Sequence, residues 1–156
     1  MPRTDPRRRH LVATGYLVRD GKTLLLWHKK LGMWLPPGGH LGPGELPHEA
    51  LLREIREETG YEAAILAPRR LESRNPGVRF LPMPFHLQLE DIPSHPQHLD
   101  LIYVCKPLNG RLRLSPREHE AFRWQGLADL KGDHVRQEVR VTGSLAIRLA
   151  RSWSPI

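Results

Sequence analysis

Cysteine is almost absent from this chain of 156 residues. The single one, Cys105, excludes a disulfide framework and a thiolate metal site, and its place in the apolar run LIYVC reads as core. Long hydrophobic runs are missing too. No stretch approaches the roughly 18 apolar residues of a membrane span, and the start MPRTDPRRRH lacks the apolar segment of a secretory signal, so the expected location is the cytoplasm, with no membrane partner. Aromatic residues amount to only 6%, against 39% hydrophobic and 26% charged residues, 13 Gly and 15 Pro. That mixture excludes collagen-like, coiled-coil and globally disordered chains and describes a loop-rich globule of one domain.

Acidic residues are the scarcer charge, 17 against 24 basic ones, for a net charge of +7. Nineteen of the basic residues are Arg, whose planar fork suits phosphate oxygens, so anionic ligands are favoured. Arg3, Arg7, Arg8 and Arg9 crowd a basic tail expected to fray over residues 1–10, ahead of a single domain over 11–156. Subtracting those four from +7 leaves +3, too weak a bias for a stable nucleic-acid partner.

The pattern along the chain is one of short elements. Leu11–Val18 and Thr23–Trp27 flank Arg19-Asp20-Gly21-Lys22, and Asp-Gly between apolar runs predicts a hairpin. Met33–Leu35 predicts a short strand that empties into Pro36-Pro37-Gly38-Gly39 and Gly42-Pro43-Gly44, read as a loop. A helix is predicted over Leu46–Thr59, with Pro47 in its first turn and Gly60 just past its end. Strands are predicted at Ala63–Leu66, Phe85–Leu89, Leu99–Cys105, Leu112–Leu114 and Ala121–Trp124. Val135, Val139, Thr142, Ala146, Leu149 and Trp153 then recur at helical spacing. This order implies an α/β fold with a mixed sheet between helices.

The chemistry-bearing stretch is Gly39 to Tyr61, GHLGPGELPHEALLREIREETGY. On a helix, Glu54, Glu57 and Glu58 share one arc, with Leu51, Leu52 and Ile55 on the adjoining face. Like charges at this spacing repel, and Arg53, Arg56 and a divalent cation are the available compensation. Oxygen ligands without sulfur select Mg²⁺ or Mn²⁺. Nine histidines invite a second metal reading, above all His95 and His98 in SHPQHLD, but a proline separates them and no matching pair follows, so they read as loop histidines, with His98 or Asp100 as candidates for touching substrate.

Taken in order, Gly39, Glu45, Arg53-Glu54-Ile55, Glu57-Glu58 and Gly60 resemble the Nudix box of the Nudix hydrolase (MutT-like) family without a gap, Tyr61 standing where an aliphatic residue is usual. The resemblance implies an α/β/α sandwich and an enzyme that hydrolyses the diphosphate bond of a nucleoside diphosphate linked to another moiety, with Mg²⁺ or Mn²⁺ as cofactor. It also implies metal ligation by the Gly38 carbonyl and by Glu54, Glu57 and Glu58, with Arg53 and Glu45 as orienting residues and Gly39 and Gly60 as structural ones. Family members add a carboxylate before a late Trp. Glu118, six residues ahead of Trp124, is the candidate here, Glu120 the alternative and His119 a bystander. The expected partner is a small nucleotide, and a homodimer is left open. ADP-ribose and (deoxy)nucleoside triphosphates are the first substrate guesses, ahead of dinucleoside polyphosphates and capped RNA. Pro76, 15 residues after Tyr61, resembles a marker of ADP-ribose pyrophosphatases, yet Asn75-Pro76-Gly77 is equally a plain turn. Phe80, Phe85, Trp27 and Trp34 are candidates for stacking on a base. The alternative of another class is a nucleotide sensor that does not cleave its ligand.

Overall fold

In a computed structural model, residues 8–156 are described, so Arg3 and Arg7 of the expected tail lie outside the described residues. Arg9 Nε donates to Gln97 Oε1 at 3.2 Å, and His10 already opens strand β1, His10–Arg19. Asp20 and Gly21 both adopt positive φ, 52° and 71°, and pair Val18 with Thr23 in β2, Lys22–His28, the tight hairpin that Asp-Gly predicts.

After β3, Met33–Leu35, the expected loop contains a strand, β4, Gly38–His40. It pairs antiparallel with β1 through Val12 and His40, Ala13 and Gly39, Thr14 and Gly38. Helix α1 spans Pro47–Thr59 and ends at Gly60, which has φ 77° and donates its N–H to the Arg56 carbonyl. Strand β5, Glu62–Ala67, is followed by β6, His86–Glu90, β7, His98–Asn109, and β8, His119–Gln125. The strand predicted at Leu112–Leu114 does not form. That segment pins itself to the helix end, where Arg113 N–H donates to Thr59 O, while Leu112 and Leu114 cover the core. A 3₁₀ turn, Asp129–Lys131, helix α2, Gln137–Leu149, and a two-residue strand β9, Ser154–Pro155, complete the chain. Trp153 lies past α2 but still packs on the core.

The sheet runs β3-β2-β1-β7-β5-β9, with β8 on β2, β4 on β1 and β6 on β7. The β1–β7 pair is parallel, and the other pairs are antiparallel. Alternation along β1 sorts its side chains: Ala13 and Leu17 pack with Ala50, Leu51 and Ile55 of α1, whereas Tyr16 and Val18 pack with Val139, Ala146 and Ile147 of α2. The result is the expected α/β/α sandwich. Cys105 is fully buried on the α1 side, where burial pushes its thiol pKa up, as a core cysteine requires. No helix among the described residues is long and apolar enough to cross a membrane.

Candidate active site

The carboxylates of α1 become progressively drier along the helix face that meets β4. The Glu57 side chain is 59% exposed, that of Glu54 is 17% exposed, and Glu58 is buried. Close approach of β4 explains the two glycines. A Cβ on Gly39 would stand 2.5 Å from the Glu54 carboxyl carbon, and one on Gly38 would stand 2.6 Å from the Ala13 carbonyl oxygen. With no side chains there, Gly38 N–H donates to Glu58 Oε2 at 2.9 Å.

Arg53 organises the remaining acids. Its Nε and Nη2 donate to the two oxygens of Glu45 at 2.8 and 2.9 Å, and its Nη1 donates to Glu54 at 2.8 Å and Glu57 at 3.2 Å. Nη2 also reaches the His40 carbonyl at 3.1 Å. Glu45 in turn accepts the Gly42 N–H at 2.7 Å, so one guanidinium ties the glycine loop to the helix. The bonds from Arg53, then that from Gly42, hold the Glu45 carboxyl down to about 2. Burial pushes Glu54 up against the pull of Arg53, and burial pushes Glu58 up to about 7. Arg56, expected to help neutralise the acidic arc, instead pairs with Glu62 at 2.7 Å.

The opposite wall comes from the start of β8. Glu118, Glu58 and His119 bring one ligand atom each within 4.8 Å of one another, on three sides of one space. His119, read as a bystander from sequence, stands inside this cluster. It is 5% exposed, its Nε2 lies 3.4 Å from Glu58 Oε1 and 3.8 Å from Glu118 Oε2, and neither ring nitrogen has a hydrogen-bond partner of good geometry. Adjacency to Glu118 is the one sequence signal that marked it. Glu120 is exposed and lines no part of the cleft.

These groups open into a cleft of about 770 Å³ whose lining includes Gly38, Gly39, Glu54, Glu58, Glu118 and His119. Its rim carries Lys30, Arg117 and Arg136, which suits an anionic ligand. The far wall holds Gln88 and Glu90 from β6 and His98 and Asp100 from β7, so the two β7 candidates do face the same space as the box. Asp100 is 5% exposed, accepts a 2.9 Å bond from Thr14 Oγ1, and leaves Oδ1 without a partner. Burial pushes its carboxyl up to about 7.

The aromatic candidates lie elsewhere. Phe80 is exposed beside a separate hollow bounded by Leu71, Met83 and Ile156, and Phe85 packs on the α2 side of the core near Tyr16. Trp27 and Trp34 pack edge to face at 5.1 Å, and Arg123 covers Trp34 at 4.5 Å. The rings in the cleft lining are Tyr16 and the imidazoles of His28, His40, His98 and His119.

Comparison with known proteins places this geometry. The family model described as NUDIX domain matches residues 8–142. Bis(5′-nucleosyl)-tetraphosphatase (asymmetrical) of Mus musculus is 34% identical over 128 residues, covering 78% of this chain and 75% of that one. A putative 8-oxo-dGTP diphosphatase of Bacillus subtilis is 52% identical over a shorter 51 residues, 33% of this chain and 34% of its own length. Among solved structures, a NUDIX family hydrolase from Clostridium perfringens superposes with a TM-score of 0.79 at 27% identity, over 92% of this chain and 99% of that one. The match runs through both walls of the cleft rather than the box alone, and on that basis the chain belongs to the NUDIX family, hydrolases that act on pyrophosphate bonds.

Proposed function

We propose that the chain is a divalent-cation-dependent pyrophosphohydrolase that cleaves a nucleoside diphosphate linked to another moiety. The observation that carries this reading is the convergence of Glu58, Glu118 and His119 across a cleft also lined by Glu54 and rimmed by Arg and Lys. Those residues fit a hard cation. Oxygen donors dominate the set, Glu58 is buried without an Arg or Lys partner among the described residues, and the one thiol, Cys105, is buried in the core and absent from the cleft lining. Glu54, Glu57, Glu58, Glu118 and the Gly38 carbonyl are the groups that would hold Mg²⁺ or Mn²⁺. Once bound, the cation neutralises phosphate charge and acidifies an attacking water.

The protein's own side chains supply the rest. Arg53 occupies one oxygen each of Glu54 and Glu57 and so fixes the rotamers that direct the others to the cleft. Lys30, Arg117 and Arg136 draw the phosphate chain to the rim. Glu54, with its carboxyl pushed up by burial, is the base that takes the water's proton; Glu118 is the alternative on the opposite wall.

For the substrate, resemblance over three quarters of the chain to a named tetraphosphatase favours a dinucleoside polyphosphate over the ADP-ribose and nucleoside triphosphate expected from sequence. The test is a panel of these three compounds with Mg²⁺, scored by kcat/KM and by products. ATP plus AMP from diadenosine tetraphosphate supports this reading. AMP plus ribose 5-phosphate, or a monophosphate plus pyrophosphate, supports the sequence expectation. No turnover of any member supports a nucleotide sensor and overturns the catalytic proposal.

A further inference from the structure

Three histidines from three strands meet at the end of the sheet beside the cleft. His10 opens β1, His98 opens β7 directly opposite it in the parallel register, and His40 closes β4 on the other side of β1. The His40 and His98 ring centres are 4.7 Å apart, those of His10 and His40 5.3 Å, and those of His10 and His98 6.1 Å. One nitrogen from each ring comes within 4.8 Å of the other two. A core histidine ordinarily spends its buried nitrogens on carbonyls or carboxylates. Here the buried His10 Nδ1 and His98 Nε2 have no hydrogen-bond partner among the described residues. The three ligand atoms that close to within 4.8 Å of one another are all imidazole nitrogens, the donor type that transition-metal cations take.

We propose that His10, His40 and His98 bind a borderline transition-metal cation of the zinc class, at a site distinct from the carboxylate centre. Nitrogen donors select Zn²⁺, Co²⁺, Ni²⁺ or Cu²⁺, whereas the oxygens of the carboxylate centre select Mg²⁺ or Mn²⁺, so the two sites sort different metals from one solution. Three protein ligands leave a fourth position open. His40 and His98 line the cleft that a nucleotide would enter. The two centres share β4: Gly38 holds Glu58, Gly39 abuts Glu54, and His40 belongs to the histidine cluster.

The test titrates untagged, full-length protein with Co²⁺ in millimolar Mg²⁺ and reads visible d–d absorption and the histidine Cε1–H resonances. The expected result is one equivalent of tetrahedral Co²⁺, displaced by Zn²⁺, with the resonances of His10, His40 and His98 shifted in the diamagnetic Zn²⁺ form and that of His119 not. His40→Gln changes an exposed side chain and keeps the fold, and His98→Gln checks a second ligand. Each should weaken Co²⁺ at least about tenfold, because losing even an outer partner of a metal ligand costs that much. Glu118→Gln should keep the spectrum. Absence of bound Co²⁺ in millimolar Mg²⁺, or a spectrum lost in Glu118→Gln and kept in both histidine variants, overturns the proposal.

Discussion

Replacing Asp100 by Asn isolates one charge in the cleft wall. Asp100 is 5% exposed, its carboxyl is pushed up to about 7 by burial, and its one hydrogen bond comes from Thr14. The unfolded chain ionises near the ordinary Asp value of 3.8, so between that value and about 7 the folded protein holds a proton that the unfolded protein has lost. Stability must therefore fall as pH rises through this window. Integrating from pH 5 to pH 8, the loss assignable to this group is about 2–3 kcal/mol. Asn accepts the same Thr14 bond and cannot ionise. With metals removed by chelator, the advantage of Asp100→Asn over the wild type should be about 2–3 kcal/mol larger at pH 8 than at pH 5, a difference of roughly 5–10 °C in Tm. Urea melts of both proteins at the two pH values measure the difference, and the contribution of Glu58 cancels because it is common to both. Parallel pH dependence in the two proteins would falsify the assignment of a protonated Asp100.

Three other outcomes are expected. Glu57→Gln keeps the shape of an exposed side chain and an oxygen that can accept from Arg53 while removing one charge; turnover should drop at least roughly a hundredfold with Tm unchanged, and near-normal kcat excludes Glu57 from the site. Gly38→Ala drives a methyl into the Ala13 carbonyl and should cost roughly 1–3 kcal/mol, whereas Gly39→Ala meets the side-chain end of Glu54 rather than backbone, so it should displace that carboxylate and cost activity with less than about 1 kcal/mol of stability. Equal losses of Tm in the two glycine variants would contradict that distinction. Mg²⁺ or Mn²⁺ at a hundredfold excess over its Kd should stabilise the folded protein by about 2.7 kcal/mol, and a Tm that stays flat up to millimolar metal argues against the carboxylate centre.

Local signals carried much of this structure. Asp20-Gly21 predicted the hairpin, and Leu46 to Gly60 predicted α1 to within a residue, because both rest on turn chemistry and periodicity inside one short segment. What stayed hidden depends on partners distant in sequence. Pro36-Pro37-Gly38-Gly39 has the composition of a loop, and only pairing with β1 makes Gly38–His40 a strand. Leu112 and Leu114 alternate like a strand yet cover the core beside a helix end. Among the site residues, Arg53 was legible from its place in the box, whereas the role of His119 depends on where β8 begins, and His10, His40 and His98 meet only through strand register. Phe80, Phe85, Trp27 and Trp34 were chosen for ring chemistry alone, which says nothing of where a ring packs.

The far wall of the cleft hangs from β6, an edge strand that pairs with β7 alone among the described residues. The chain leading into it, residues 68–85, contains no helix or strand. Because Gln88 and Glu90 line the cleft from that strand, the connection bears on the far wall and has no part in β4, α1 or the Arg53 clamp. The two walls of the cleft are thus of opposite kinds: one almost immovable, because a methyl group disrupts it, the other hung from a single surface connection that can be edited without disturbing the first.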